Sequence, residues 1–160
     1  MSDATDKAEV RLVLNGNERT LHVDERAMLL DILRHDLNVV SARFGCGSGS
    51  CGACNVLVDG HVVTSCNTPV WSVAGKSVLT IEGLGTEEAP HPLQAAFIEE
   101  QALQCGYCTS GILISSAALL HRNPKPTEGE VRQALDRNLC RCGAHNRIVR
   151  AVMRAAGTTS

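Results

Sequence analysis

With 160 residues and a net charge of −2, the chain has room for one domain or two small ones. It has no long basic or acidic run of the kind that marks a nucleic-acid or membrane-surface partner. Apolar residues make up 44 % but aromatics only 2 %, so the core must come from Leu, Val, Ile and Ala.

The N-terminal stretch MSDATDKAEVRLVLNG carries early acids and no apolar run long enough for a signal peptide. No segment approaches the roughly 20 apolar residues of a membrane span, so direct membrane insertion is not expected. The expected compartment is the cytoplasm, where thiols stay reduced.

Residues 9–14 alternate as a strand does, Asn15-Gly16 signals a type I′ hairpin, and residues 19–23 return. Residues 27–37 place Leu29, Leu30, Leu33 and Leu37 at helical spacing, with Asp24 as the expected N-cap. A glycine-rich loop occupies residues 44–54. Residues 55–58, an Asp59-Gly60 turn and residues 61–65 form a second hairpin, and residues 77–81 a last strand. This order predicts a small mixed sheet packed on one helix. Residues 82–92 turn to Gly, Pro and acids, as a linker does.

Beyond the linker the pattern is helical. Pro92 suits a first helical position ahead of residues 93–103. Residues 110–121 form the next helix, stopped by Asn123-Pro124. Thr127 and Glu130 make a capping box before residues 131–138, and residues 144–156 form the fourth helix. Four helices with short joins predict a compact bundle.

Eight cysteines fall into two sets of four. Cys46, Cys51, Cys54 and Cys66 follow C-x4-C-x2-C-x11-C, which is the spacing of a plant-type ferredoxin [2Fe–2S] cluster. A cluster with four thiolates is negative and is stabilised by backbone N–H groups aimed at its sulfurs. The four loop glycines let the chain curl closely enough to supply them. A flexible loop with incidental cysteines does not account for four at this spacing.

Cys105, Cys108, Cys140 and Cys142 read C-x2-C, then C-x-C, in two turns that a bundle of antiparallel neighbours brings to one end. Zinc accepts such a set as readily as a cluster does. The upstream loop tilts the reading toward a second [2Fe–2S]. A disulfide framework would need an oxidising compartment, and a chain of this size has little need of it.

Other residues have bland readings. His22, His35, His61, His91 and His121 show no metal-ligand spacing among themselves. His145 lies near Cys142, as a helix-start cap or as a ligand or hydrogen-bond partner of a cluster. Trp71 and Phe97 are core or contact residues, and Arg141 is a solvated side chain or an offset to cluster charge.

The segments GCGSGSCGAC, TSC, QCGYCTSG and NLCRCG resemble the iron–sulfur subunit of the molybdenum hydroxylases, the xanthine dehydrogenase/aldehyde oxidoreductase family. The resemblance spans residues 10–153. It implies an α+β chain with an N-terminal β-grasp ferredoxin-like domain at residues 8–84 and a C-terminal four-helix [2Fe–2S]-binding domain at residues 90–156.

It also implies that Cys46, Cys51, Cys54 and Cys66 hold the cluster far from molybdenum, and that Cys105, Cys108, Cys140 and Cys142 hold the near one. Gln104 matches a glutamine that hydrogen-bonds the pterin of the molybdenum cofactor, and Cys142 a ligand whose surroundings touch it. The implied partner is a large molybdopterin-binding subunit where the substrate is hydroxylated. The implied acceptor is a cytochrome c or an FAD subunit. Some relatives are exported folded to the periplasm with a signal-bearing partner.

Asn55, Ser110 and His145 depart from the commoner threonine, proline and tyrosine. The ending CGAHNRI is similar to two-subunit members that oxidise N-heteroaromatics or aldehydes and pass electrons to cytochrome c.

Overall fold

Strand β1, Ala8–Leu14, buries Val10, Leu12 and Leu14 on one face, the period-2 alternation of a half-buried strand. It returns through Asn15 and Gly16, both at positive φ, into β2, Asn17–Val23. Asp59 and Gly60 repeat the device between β3, Asn55–Val58, and β4, His61–Thr64. With β5, Ser77–Leu79, these form one sheet in the order β2-β1-β5-β3-β4, in which only β1 and β5 run parallel. The computed structural model describes residues 7–157. The first six residues of the N-terminal stretch in which no signal peptide was expected lie outside them. Among the described residues no helix is long and apolar enough to cross a membrane.

The helix expected over 27–37 starts two residues late and changes pitch. Helix α1, Leu29–Asp31, runs into a π-helical turn at Ile32–Asp36. Asp24 caps no helix; its carboxylate accepts from the Arg26 N–H in a local turn. The cause is tertiary. The carbonyls of Ala27 and Glu25 accept from the N–H groups of Val70 and Trp71, and the Leu29 N–H donates to Thr68. Backbone groups that would start a helix are spent on the 68–71 segment. Leu29, Leu30, Ile32 and Leu33 still reach the sheet core with Val56, Val70 and Val78.

The helical half contains α2, Pro92–Glu99; α3, Thr109–Arg122; α4, Glu128–Ala134; and α5, His145–Ala155. Helix α4 begins three residues ahead of the expected 131, directly after its Thr127 cap, and three elements end two or more residues early. Helix α2 stops four residues short of 103 because Gln101 turns left-handed at φ +48°, and the Ala102 N–H closes back on Phe97. Helix α4 stops at Ala134, and the following turn carries Asn138 into the core instead of extending the helix. Strand β5 gives way to a 3-10 turn at Ile81–Gly83.

His91 is the N-cap of α2, its ring accepting from the Leu93 N–H, and burial pushes its pKa down. The capping box at Thr127 and Glu130 is present as expected. Thr127→Ala should therefore cost about 1 kcal/mol, read as a lowered melting temperature. An unchanged melting temperature would show that the cap contributes nothing.

Each half has its own apolar core. One gathers β1, α1, β3 and β5; the other gathers Leu93, Phe97, Ile112, Val131, Ile148 and Val152. Phe97 is core, whereas Trp71 is exposed and makes no core. A third, small cluster of Leu57, Ile114 and Ala118 joins them. Strand β3 is buried on both faces, Val56 and Val58 toward the sheet core and Leu57 toward α3.

The expected linker is partly a tie. The Glu82 carboxylate accepts from the Ser41 N–H at 3.1 Å, from the Ser41 hydroxyl, and from the Thr80 hydroxyl at 2.7 Å. Burial works against its charge, but these bonds outweigh burial and hold the carboxyl below its ordinary range. The tie therefore contributes at neutral pH and is lost as pH falls through the depressed value.

Candidate iron–sulfur sites

The 44–54 loop folds so that its N–H groups face sulfur. The Cys46 sulfur accepts from the N–H of Ser50 at 3.2 Å and of Ser48 at 3.4 Å. With the Ser48 side chain these bonds bring the Cys46 thiol down to about 5, the range in which it is a thiolate at neutral pH. The Gly49 N–H is directed at Cys66, from a backbone at φ +73° that favours glycine. Gly45 is required for a different reason: a Cβ there would stand 2.5 Å from the Cys51 sulfur. Cys66 comes from the 3-10 turn Ser65–Asn67 that ends the second hairpin. Its thiol meets that of Cys54, and burial pushes it up to about 11.

The second set gathers where two inter-helix turns meet. Cys105 and Cys108 lie between α2 and α3, and Cys140 and Cys142 between α4 and α5. The thiols pair across the turns rather than within them: Cys105 with Cys142, and Cys108 with Cys140. The Tyr107 N–H and the Cys142 thiol lower Cys105. Burial pushes Cys108 up to about 12. Burial also opposes charge on Cys140, but the N–H groups of Ala144, Cys142 and Gly143 and the Cys108 thiol outweigh it and lower its pKa.

Cluster binding needs thiolates, and each site already holds at least one group poised to be one. Among the described residues no three His, Cys, Asp or Glu side chains surround a point that one metal ion would fill. Four thiols in each set match the four-thiolate ligand shell of a [2Fe–2S] cluster.

The two sets are held by shared backbone. The Leu139 N–H, next to Cys140, donates to the carbonyl of Cys51 at 3.0 Å. The buried Asn138 amide donates to Gly52 at 3.4 Å. Helix α3 passes so close at Gly111 that a Cβ there would lie 1.9 Å from the Gly52 oxygen. The Tyr107 hydroxyl, inside the C-x2-C turn, donates to the Phe44 carbonyl ahead of Cys46, and the Arg43 guanidinium lies 5.3 Å from its ring centroid.

Two of the three departures noted in the sequence serve this junction. The Asn55 amide donates to the Ser115 hydroxyl at 2.9 Å, and the Ser110 hydroxyl to the Ser41 carbonyl at 2.6 Å. The third, His145, begins α5 with its ring 3.4 Å from the Asn138 carbonyl.

None of these cross-links was anticipated from sequence; the one signal that could have pointed to them is the isolated glycine, Gly111, in the apolar α3 pattern. Gln104 is exposed, and its amide donates to the Cys142 carbonyl at 3.1 Å. Arg141 is exposed.

Comparison with known proteins agrees with both sites. Residues 12–79 match the family model for a 2Fe-2S iron-sulfur cluster binding domain, and residues 80–153 that for a [2Fe-2S] binding domain. The chain is 48 % identical over 149 residues to one of the subunits of nicotinate dehydrogenase from Pseudomonas putida, covering 93 % of this chain and 95 % of that one. It is 49 % identical over 148 residues to the alpha subunit of isoquinoline 1-oxidoreductase from Brevundimonas diminuta, covering 92 % and 97 %. The solved structure of quinoline 2-oxidoreductase from Pseudomonas putida 86 superposes with a TM-score of 0.91 at 36 % identity, over 96 % of this chain and 94 % of that chain. Two cysteine sets, two cluster-binding domains and near full-length likeness agree: the chain belongs to the iron–sulfur small subunits of the molybdenum hydroxylases, an α+β component of a multisubunit oxidoreductase.

Proposed function

We propose that this electron-transfer subunit draws electrons from a molybdenum–pterin centre on a large partner subunit. They enter at the helical half and leave from the ferredoxin half, toward a cytochrome c or a flavin subunit. Each [2Fe–2S] cluster, when bound, supplies a one-electron redox centre. Cys105, Cys108, Cys140 and Cys142 hold the entry cluster, and Cys46, Cys51, Cys54 and Cys66 the exit cluster. The observation that carries the reading is the Leu139 N–H bond to the Cys51 carbonyl, which ties the two ligand loops directly together.

Gln104 and Cys142 form the contact with the pterin. The Gln104 amide already donates to the Cys142 carbonyl, so this exposed side chain is fixed beside a ligand with its own oxygen left to accept. The division into residues 8–84 and 90–156 belongs to the same proposal and is supported by the two separate cores. Nicotinate, isoquinoline and quinoline in the names of relatives support an N-heteroaromatic substrate, oxidised on the partner. A compartment that keeps thiols reduced, the cytoplasm, suits assembly of the two thiolate sites, and export of the folded complex with a signal-bearing partner is compatible with it.

The complex purified with its natural partners should carry about four irons per copy of this chain and give two distinct reduced [2Fe–2S] EPR signals. A colourless chain holding zinc would end the proposal. Gln104→Ala should lower the molybdenum and pterin content of the isolated complex while both EPR signals persist. Loss of an EPR signal would instead make Gln104 a support of its cluster loop.

A further inference from the structure

A cleft of about 630 Å³ opens where the two halves meet, beside the ferredoxin loop. Ser48 and Gly49 form one end of its lining, the whole of β4 one wall, and the end of α3 with the α4 region the other. Its charge is one-sided. Arg122 and Arg137 line it, and no Asp or Glu does.

Among the described residues Arg122 and Arg137 have no carboxylate within ion-pair distance; other arginines, Arg19 and Arg147 among them, are also without one, but of the arginines only Arg122 and Arg137 line this cleft. Arg122 only donates to the Ala118 carbonyl at 3.3 Å, and both arginines are exposed. In a chain of net charge −2, two arginines without a carboxylate partner on one wall of a cleft lined by no acid make a local positive field.

Two further features belong to the same cleft. Strand β4 is the last strand of the sheet, so its outer edge has no neighbouring strand among the described residues. Asn55, on the lining, is buried with its side-chain oxygen unpartnered, its amide nitrogen being spent on Ser115. The cleft also adjoins a ligand loop: the Ser48 N–H that edges it donates to the Cys46 sulfur at 3.4 Å.

We propose that this cleft docks an extended acidic segment of the electron-accepting protein. The segment lies along β4 with its carboxylates on Arg122 and Arg137, which brings the acceptor against Cys46. An exposed sheet edge suits an extended chain, and unpaired arginines suit carboxylates. The inference rests on the reading of the ferredoxin half as the exit. It adds the chemistry by which the acceptor is recognised, and it favours an acidic acceptor over a basic one.

The test uses the assembled enzyme and two cytochromes c of similar potential, one acidic and one basic. The wild-type enzyme should reduce the acidic one with the lower KM, and added salt should weaken that preference. The R122E/R137E double variant should raise the KM for the acidic cytochrome about tenfold and reverse the preference. The R122K/R137K variant should keep most of the preference. Both cluster EPR signals should persist in every variant.

A fluorescein-labelled decapeptide of alternating Glu and Val should compete with the acidic cytochrome for the wild-type enzyme and not for R122E/R137E. The docking site is refuted if charge reversal leaves the KM for the acidic cytochrome unchanged, or if the peptide binds both enzymes alike. Missing cluster signals in the wild-type enzyme would refute the exit reading itself, so the two failures are distinguishable.

Discussion

Gly111→Ala is expected to lower the melting temperature by roughly 6–12 °C, about 3 kcal/mol, and to strip iron from the ferredoxin-type site. The added Cβ would stand 1.9 Å from the Gly52 oxygen and 3.0 Å from its carbon. Both are backbone atoms, so no rotamer change relieves the clash. Helix α3 cannot retreat cheaply, since Ile112 fills the helical core and Ile114 the cluster that joins the halves.

The loop must move instead, and Gly52 sits between Cys51 and Cys54. Gly129→Ala is the contrast. It lies in α4 with its nearest neighbour, the Thr127 hydroxyl, 4.0 Å away, so alanine should stabilise by up to about 1 kcal/mol. Calorimetry with iron analysis checks both. A Gly111→Ala chain that melts like wild type would show that the halves are not locked at this point.

Cys105→Ser should remove one [2Fe–2S] signal of the two and bring iron from about four to about two per chain. Turnover in the assembled enzyme should vanish. Cys105 is exposed and pairs with Cys142. A serine oxygen is a harder and more basic donor, so the remaining three thiolates would have to hold the cluster with a poor fourth ligand. The other signal should survive, because the ferredoxin loop takes its N–H donors to Cys46 from its own residues. Full turnover with the natural acceptor in this variant would defeat the proposed order of entry and exit.

The succession of elements and both cysteine sets were legible in the sequence because each rests on local rules. Hairpin turns at Asn15-Gly16 and Asp59-Gly60, the Thr127–Glu130 box and the Asn123-Pro124 stop act within four residues. Two of the misread segments have non-local causes. Asp24 lost its helix because residues 25–29 bond to 68–71, and Glu82 proved a tie because Ser41 lies beside it. Spacing could gather four thiols at one end of the bundle. It could not say that Cys105 meets Cys142 and Cys108 meets Cys140, because that pairing depends on how two turns face each other. The junction at Gly52, Asn138 and Leu139 has no sequence period at all, so only the isolated Gly111 hinted at it.

The bond from Leu139 to Cys51 also sets a timetable. The carbonyl of the first loop waits for a donor 88 residues further along the chain. At roughly 5–20 residues per second, a ribosome needs about 4–18 s to supply it. Until then the nascent ferredoxin half has its cysteines but not the clamp that closes their loop. The tie between the two ligand loops therefore closes only when essentially the whole chain has been made. A chain truncated before Leu139 lacks the donor to the Cys51 carbonyl and so leaves that end of the ligand loop untied.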